Sequence, residues 1–221
     1  MQILEIILYG KNGKIRTLKL ETGKVNIITG KSATGKSALI DIVDYCLGRK
    51  DCTVPEGIIR ETVSWFGLRL QFDSGQMFIA RENPSPTSLS TNRVYVEQAD
   101  VVEKPTNAPS EPNTTIDALM QDLTRKIGIN PNLHVPPSGQ TREPLEANFR
   151  HALVYCFQQQ DEIASKGTLF HRQSEYHLAQ ATKDTLPYFL GAIGEDRLAL
   201  EQELTRAKRE LRKAEIALRE A

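Results

Sequence analysis

Residues Gly30 to Ser37 read Gly-Lys-Ser-Ala-Thr-Gly-Lys-Ser, a complete G-x-x-x-x-G-K-[ST] pattern. These residue types at this spacing are suited to one task, holding a polyphosphate. Gly30 and Gly35 let the chain curl with its N–H groups turned inward and no Cβ in the way. Lys31, Ser32, Ala33 and Thr34 span the curl, and backbone N–H groups from Lys31 to Ala38 form the cradle. Lys36 is placed to reach the β- and γ-phosphates, and the Ser37 hydroxyl to ligate Mg²⁺. A glycine-rich turn that binds nothing is the competing reading. The Lys-Ser pair and both flanks argue against it.

The flanks must present this curl. Val25-Asn26-Ile27-Ile28-Thr29 is a short apolar, β-branched run that predicts a buried strand leading into the loop. After the loop, Ala38 to Leu47 carries apolar residues at 39, 40, 42, 43, 46 and 47, which predicts a helix buried along one broad face and ended by Gly48. Cys46 falls on that face, as a small core residue.

Further elements follow from period and punctuation. Residues 1–9 and 15–20 flank Lys11-Asn12-Gly13-Lys14, a strong hairpin signal. Thr62 to Phe72, a Ser74-Gly75 turn and Gln76 to Arg81 predict a second hairpin packed by one face. Nine of the eleven prolines lie between 84 and 144, which excludes long regular elements from most of that stretch. It reads as a surface insert with two ordered islands. Arg93 to Val102 supplies a short strand. Thr115 to Ile127 sets Ile116, Leu119, Met120, Leu123 and Ile127 on one helical face, with Thr114 and Asp117 as a capping pair and Met120 as core filler. From Leu145 to Phe157 a four-residue and a two-residue period both fit, and pattern alone does not choose.

At the C-terminal end, Leu200, Leu204, Ala207, Leu211, Ala214, Leu218 and Ala221 form an unbroken a/d seam. Seven acidic and seven basic side chains between 195 and 221 solvate the other faces. The expected organisation is a nucleotide-binding lobe over 1–194, containing the 84–144 insert, and the start of a coiled coil over 195–221. The alternative is a lone helix packed on the globular part. A chain ending within a heptad suggests the visible part of a longer protein.

Composition narrows the class. With 221 residues, 39% of them apolar, the chain can bury one sizeable core. A net charge of zero argues against a protein that binds nucleic acid or a membrane surface by bulk charge alone. Residues 1–50 nevertheless hold nine Lys and Arg against four Asp and Glu. Lys11, Lys14, Arg16, Lys19 and Lys24 are not explained by phosphate binding. They fit a basic surface for a DNA backbone and equally a solvated hairpin face. Three cysteines without metal-ligand spacing suit a reducing compartment. No stretch nears the roughly 20 apolar residues of a membrane span, and no signal region leads the chain. The expectation is a soluble cytoplasmic protein.

The arrangement of hairpin, phosphate loop, β-rich insert and coil resembles the N-terminal half-head of SMC-type and RecN-type ATPases of the ABC class. Gly35-Lys36-Ser37-Ala38-Leu39-Ile40-Asp41-Ile42-Val43 is similar to that family's loop and helix, including the Asp within the helix. Phe157-Gln158-Gln159-Gln160-Asp161-Glu162-Ile163 is similar to its Q-loop and places the glutamine at Gln160, with Gln159 or Gln158 as fallbacks. More narrowly, Leu169-Phe170-His171-Arg172-Gln173 and Leu186 to Gly191 resemble an uncharacterised bacterial branch of SMC-like proteins, some from phage-defence clusters.

The resemblance implies an α/β fold, a P-loop ABC-type half-head, that binds ATP and Mg²⁺, with Ser37 and Gln160 on the metal and Gln160 helping to hold the attacking water. No signature motif and no apolar run ending in Asp-Glu follows residue 163. In the family both come from a C-terminal half that returns along the coil, and the signature acts from a second head. The implied partners are therefore that half, a second copy of the head, and DNA; an effector or nuclease subunit is a further option. The implied activity is ATP hydrolysis only when the head is completed, in DNA repair or phage defence. His171 is either structural, a lobe contact, or a catalyst. Two other readings stay open: a stand-alone P-loop kinase or NTPase, and a non-catalytic assembly protein that nucleotide stabilises. The chain has no Asn-Lys-x-Asp motif for guanine.

Overall fold

Strand β1 (Gln2–Gly10) turns through Asn12-Gly13 into β2 (Ile15–Lys19), and the two pair antiparallel with Tyr9 opposite Ile15. Gly13 takes φ +78°, the positive value such a turn needs. The computed structural model describes residues 1–32, 34–134, 143–192 and 195–220, and the chain divides into two compact units, Met1–Ile127 and Gly128–Ala221.

In the first unit come α1 (Ala38–Cys46), α2 (Ile58–Thr62), β3 (Val63–Phe72), β4 (Gly75–Glu82) and β5 (Val94–Ala99). The strands form one mixed-sequence-order sheet, β2-β1-β3-β4-β5, antiparallel at every step. The fold is thus mixed α/β, built on an antiparallel sheet. Both hairpins and the strand after Arg93 form as expected. The one-faced packing does not hold. Alternation sends Ile7, Tyr9, Trp65, Phe78 and Ala80 to one face, where Val102 and Ala108 cover them. Phe66 points to the other face and meets Tyr45 of α1 edge-on, with ring centres 6.1 Å apart. Part of the proline-rich insert is therefore a lid on the sheet, and the Tyr9 hydroxyl donates to the Pro105 carbonyl.

Helix α1 buries Ile42, Val43, Tyr45 and Cys46, and full burial of an aliphatic side chain such as Ile42 or Val43 is worth about 1.5–3 kcal/mol. It stops as its glycine predicts. Gly48 takes φ +90°, its N–H donates to Tyr45 O at 3.2 Å, and Arg49 N–H donates to Asp44 O at 3.2 Å. That pair of bonds is a Schellman ending. Helix α3 (Ile116–Lys126) buries Leu119 and Leu123, and Met120 packs on Gly48. Its cap is the Thr115 hydroxyl, which accepts from Ala118 N–H, and not a Thr114–Asp117 pair. Thr114 instead bridges to Val94, which withdraws it from the helix end.

The second unit contains β6 (Leu133–His134), β7 (Leu145–Glu146), α4 (Phe149–Leu153), α5 (Gln160–Ala164), α6 (Tyr176–Phe189) and α7 (Glu195–Glu220). The structure resolves the ambiguous stretch toward the helical period: Leu145–Glu146 pair in a short strand, Phe149–Leu153 form a helix, and no strand forms from 151 to 157. Asn148 divides them, because its side chain accepts from Arg150 N–H and His151 N–H. In α7 the seam residues Leu200, Leu204, Ala207, Leu211, Ala214 and Leu218 are exposed. Among the described residues no helix is long and apolar enough to cross a membrane.

Candidate functional site

The phosphate-loop motif joins an exposed stretch of chain to a buried helix. Upstream, the expected strand is not formed: residues 25–30 have no strand pairing, and Val25 and Ile27 are 90% and 82% exposed. The five-stranded sheet runs β2-β1-β3-β4-β5, and no strand among the described residues pairs with this run. Apolar, β-branched residues favour a strand only when a neighbouring strand and a face to bury are present.

Within the loop, Lys36 lies across the curl. Its ammonium donates to Gly30 O at 2.9 Å and Lys31 O at 2.5 Å, and stands 3.4 Å from Thr34 Oγ1. The Thr34 hydroxyl donates to Lys31 O at 2.8 Å. No carboxylate among the described residues pairs with Lys36, so loop carbonyl dipoles alone hold the charge, which remains available to an anion. Gly35 takes φ +83°, and a Cβ there would stand 3.3 Å from Ile59 Cδ1 of α2. Helix α2 thus braces the loop from outside.

Ser37 caps α1 in helical conformation, φ −64° and ψ −31°, and its hydroxyl makes no capping bond. The N–H groups of Thr34 to Ala38 donate to no described residue. Gly30, Lys31, Ser32, Thr34 and Ser37 are exposed, Gly35 and Lys36 half-buried, and Ala38 buried; Ala33 lies outside the described residues. N–H groups and a hydroxyl without partners among the described residues, beside an ammonium at a helix start, fit a triphosphate with its cation. Among the described residues no group of three His, Cys, Asp or Glu stands ready to hold a metal by itself.

Sequence reasoning missed the residue that anchors the far end of this helix. Arg81 of β4 is fully buried and donates to the carbonyls of Tyr45, Arg49, Lys50 and Thr91. Its only trace in the sequence is an arginine closing the buried run Met77-Phe78-Ile79-Ala80. Asp41, the acid inside α1, accepts from the Thr53 hydroxyl at 2.8 Å. Burial pushes the Cys46 thiol up from its ordinary value, against the lowering effect of Arg81, as befits an inert core cysteine.

The glutamine run lies in the second unit. The Gln158 amide donates to Leu169 O at 3.3 Å, Gln159 is half-buried, and Gln160 is exposed at the first position of α5. Among the described residues Gln160 has no side-chain partner. Glu162, which ordinary solvation of a helix end would have explained, is instead a hub. It accepts from Gln159 N–H at 2.8 Å, Arg172 N–H at 2.7 Å and His171 Nδ1 at 2.9 Å.

Of the unexplained cations, Lys24 pairs with Glu21 at 2.7 Å. Lys11, Lys14, Arg16 and Lys19 are exposed, with no acidic partner among the described residues. A shallow groove of about 420 Å³, lined by Tyr9, Lys11, Lys14, Ser64 and Asn107 among others, shares no residue with the phosphate loop. No protein-family model and no curated protein matches this chain.

Proposed function

We propose that this chain is the ATP-binding N-terminal lobe of an SMC-like ATPase of the ABC class. The observation that carries the reading is the loop itself. Lys36 is held on backbone carbonyls, and among the described residues the Ser37 hydroxyl makes no capping bond and the Thr34–Ala38 N–H groups have no acceptor at the start of a buried helix. Residues 30–38 cradle the phosphates, Lys36 offsets their charge and Ser37 holds Mg²⁺, with Gln160 as a second ligand on the resemblance alone. When bound, the ion neutralises phosphate charge and draws electron density from the bond that breaks.

Completion of the head by a C-terminal half with signature and Walker B motifs is part of the proposal. The exposed Val25 and Ile27, directly before the loop, support it: they suit a strand position open to pairing. The exposed a/d face of α7 supports a coil. ATP would join two such heads, and the cations at Lys11, Lys14, Arg16 and Lys19 suit a DNA backbone. A role in DNA repair or phage defence, with an effector or nuclease subunit, follows the same resemblance.

Calorimetry on the 221-residue chain with ATP and Mg²⁺ tests the reading. Saturable binding that the Lys36→Ala variant loses, with negligible turnover, supports it. Absence of binding, or robust hydrolysis by this chain alone, overturns it.

A further inference from the structure

The two edges of the five-stranded sheet are finished differently. On β5 the insert closes the outer row of backbone groups at Val94 and Val96. The Asn113 side chain accepts from Val96 N–H and donates to Val96 O, both at 2.8 Å. The N–H groups of Asn113 and Thr114 donate to Val94 O at 3.0 and 3.1 Å.

Strand β2 has no such cover. Lys14 O accepts from Gly10 N–H and Leu20 N–H donates to Leu4 O, each at 2.8 Å, so the even-numbered residues turn their backbone groups toward β1. Backbone direction alternates along an antiparallel strand, which sends the N–H and C=O groups of Ile15, Thr17 and Lys19 outward. Among the described residues these groups have no hydrogen-bond partner.

An open row of this kind is a template for another strand, and its side chains select which one. Arg16 and Lys19 are exposed on opposite faces, and Lys14 stands at the head of the strand. On the face that the insert covers, the Lys104 ammonium donates to the Thr17 hydroxyl at 2.8 Å. Among the described residues none of these cations pairs with an acid. Two copies joined through β2 would set the cations of one against those of the other, and like charges across a ladder destabilise it. A phosphate chain would meet the cations but brings no N–H for the outward carbonyls. A peptide with carboxylate side chains satisfies both.

We propose that the outer edge of β2 docks an acidic, extended segment of a partner protein, which adds to the sheet as a further strand. Its backbone pairs with Ile15, Thr17 and Lys19. Its alternate carboxylates meet Lys19 and Lys104 on one face or Lys14 and Arg16 on the other. The docking needs the first unit alone and stands apart from nucleotide binding.

The test uses the 221-residue chain and an end-blocked peptide of alternating Glu and Val, about eight residues long. At saturation, hydrogen exchange at the Ile15, Thr17 and Lys19 amides should slow at least about tenfold, while the Arg16 and Leu18 amides, already turned to β1, change little. The same peptide N-methylated throughout keeps every charge, and a peptide of alternating Lys and Val keeps every N–H. Each should bind at least about tenfold more weakly. Thr17→Pro removes the central outward N–H at an edge position, where proline is tolerated, and should weaken binding as much while its thermal midpoint stays within about 5 °C. If that variant does not fold, the methylated peptide still decides. Equal binding of the methylated peptide, no binding of the Glu and Val peptide at millimolar concentration, or protection of these amides by duplex DNA in place of the peptide overturns the proposal.

Discussion

The Arg81 guanidinium carbon lies 3.7 Å from the centre of the Tyr45 ring, while its Nη1 donates to the Tyr45 carbonyl at 2.7 Å. One side chain of β4 therefore stacks on the last turn of α1 and also donates to a carbonyl of that turn, which the Gly48 N–H shares. This joins the sheet to the helix that begins at the phosphate loop.

Replacing Arg81 by Met should cost the first unit about 3–5 kcal/mol, because the carbonyls of Tyr45, Arg49, Lys50 and Thr91 lose a buried donor. Arg81→Lys should fall between, since an ammonium cannot reach all four with a planar fork. Urea unfolding followed by Trp65 fluorescence reads the difference.

Lys36→Ala and Ser37→Ala should separate binding from folding. Lys36 is half-buried and among the described residues bonds within the loop, so its loss should move the thermal midpoint by less than about 2 °C while weakening ATP binding at least about a hundredfold. Ser37→Ala should reduce binding mainly in the presence of Mg²⁺. Titrations with and without EDTA check both.

Gly48→Ala should destabilise the first unit by about 1–3 kcal/mol for two separable reasons. The residue sits at φ +90°, and its new Cβ would stand 2.2 Å from Met120 Sδ. Adding Met120→Ala to Gly48→Ala relieves the clash and leaves the φ strain, so the pair should lose less than the sum of the singles. A double-mutant cycle by chemical denaturation measures the coupling.

Acid should weaken the second unit in two steps. Burial, then the Arg150 charge, lowers the His151 pKa from its ordinary 6.5, and the neutral ring accepts Asn148 N–H through Nδ1 at 3.1 Å. The unfolded chain takes the proton first, so this stability is complete above about pH 6.5 and declines below it. At Glu162 burial opposes the charge, but the Arg172 and Gln159 N–H groups and the His171 ring outweigh it and hold the carboxyl below its ordinary 4.5. That contribution persists above about pH 4.5 and is lost as pH falls through the lowered value. Hydrogen exchange between pH 7 and about 2 should show both steps in the wild type and only the lower one in His151→Gln.

The amino-acid sequence by itself determined the local features of this protein. Asn-Gly and Ser-Gly signals with alternating apolar residues were enough for both hairpins, and the apolar face closed by Gly48 was enough for α1. The curl over Gly30 to Ser37 was equally legible as local geometry, because a positive-φ glycine and a lysine folded onto nearby carbonyls act over a few residues. Tertiary structure alone decided what depends on a distant partner. Val25 to Thr29 has strand composition but forms no strand, since no neighbouring strand pairs with it. Val102 and Ala108 of the insert became a lid because the sheet had a second apolar face to cover. Arg81 found its role in four carbonyls, three of them more than thirty residues away, and Glu162 met His171 only after the chain turned back through 165–170. Pairings of that kind leave no period in the sequence, because they are set by where two elements come to lie.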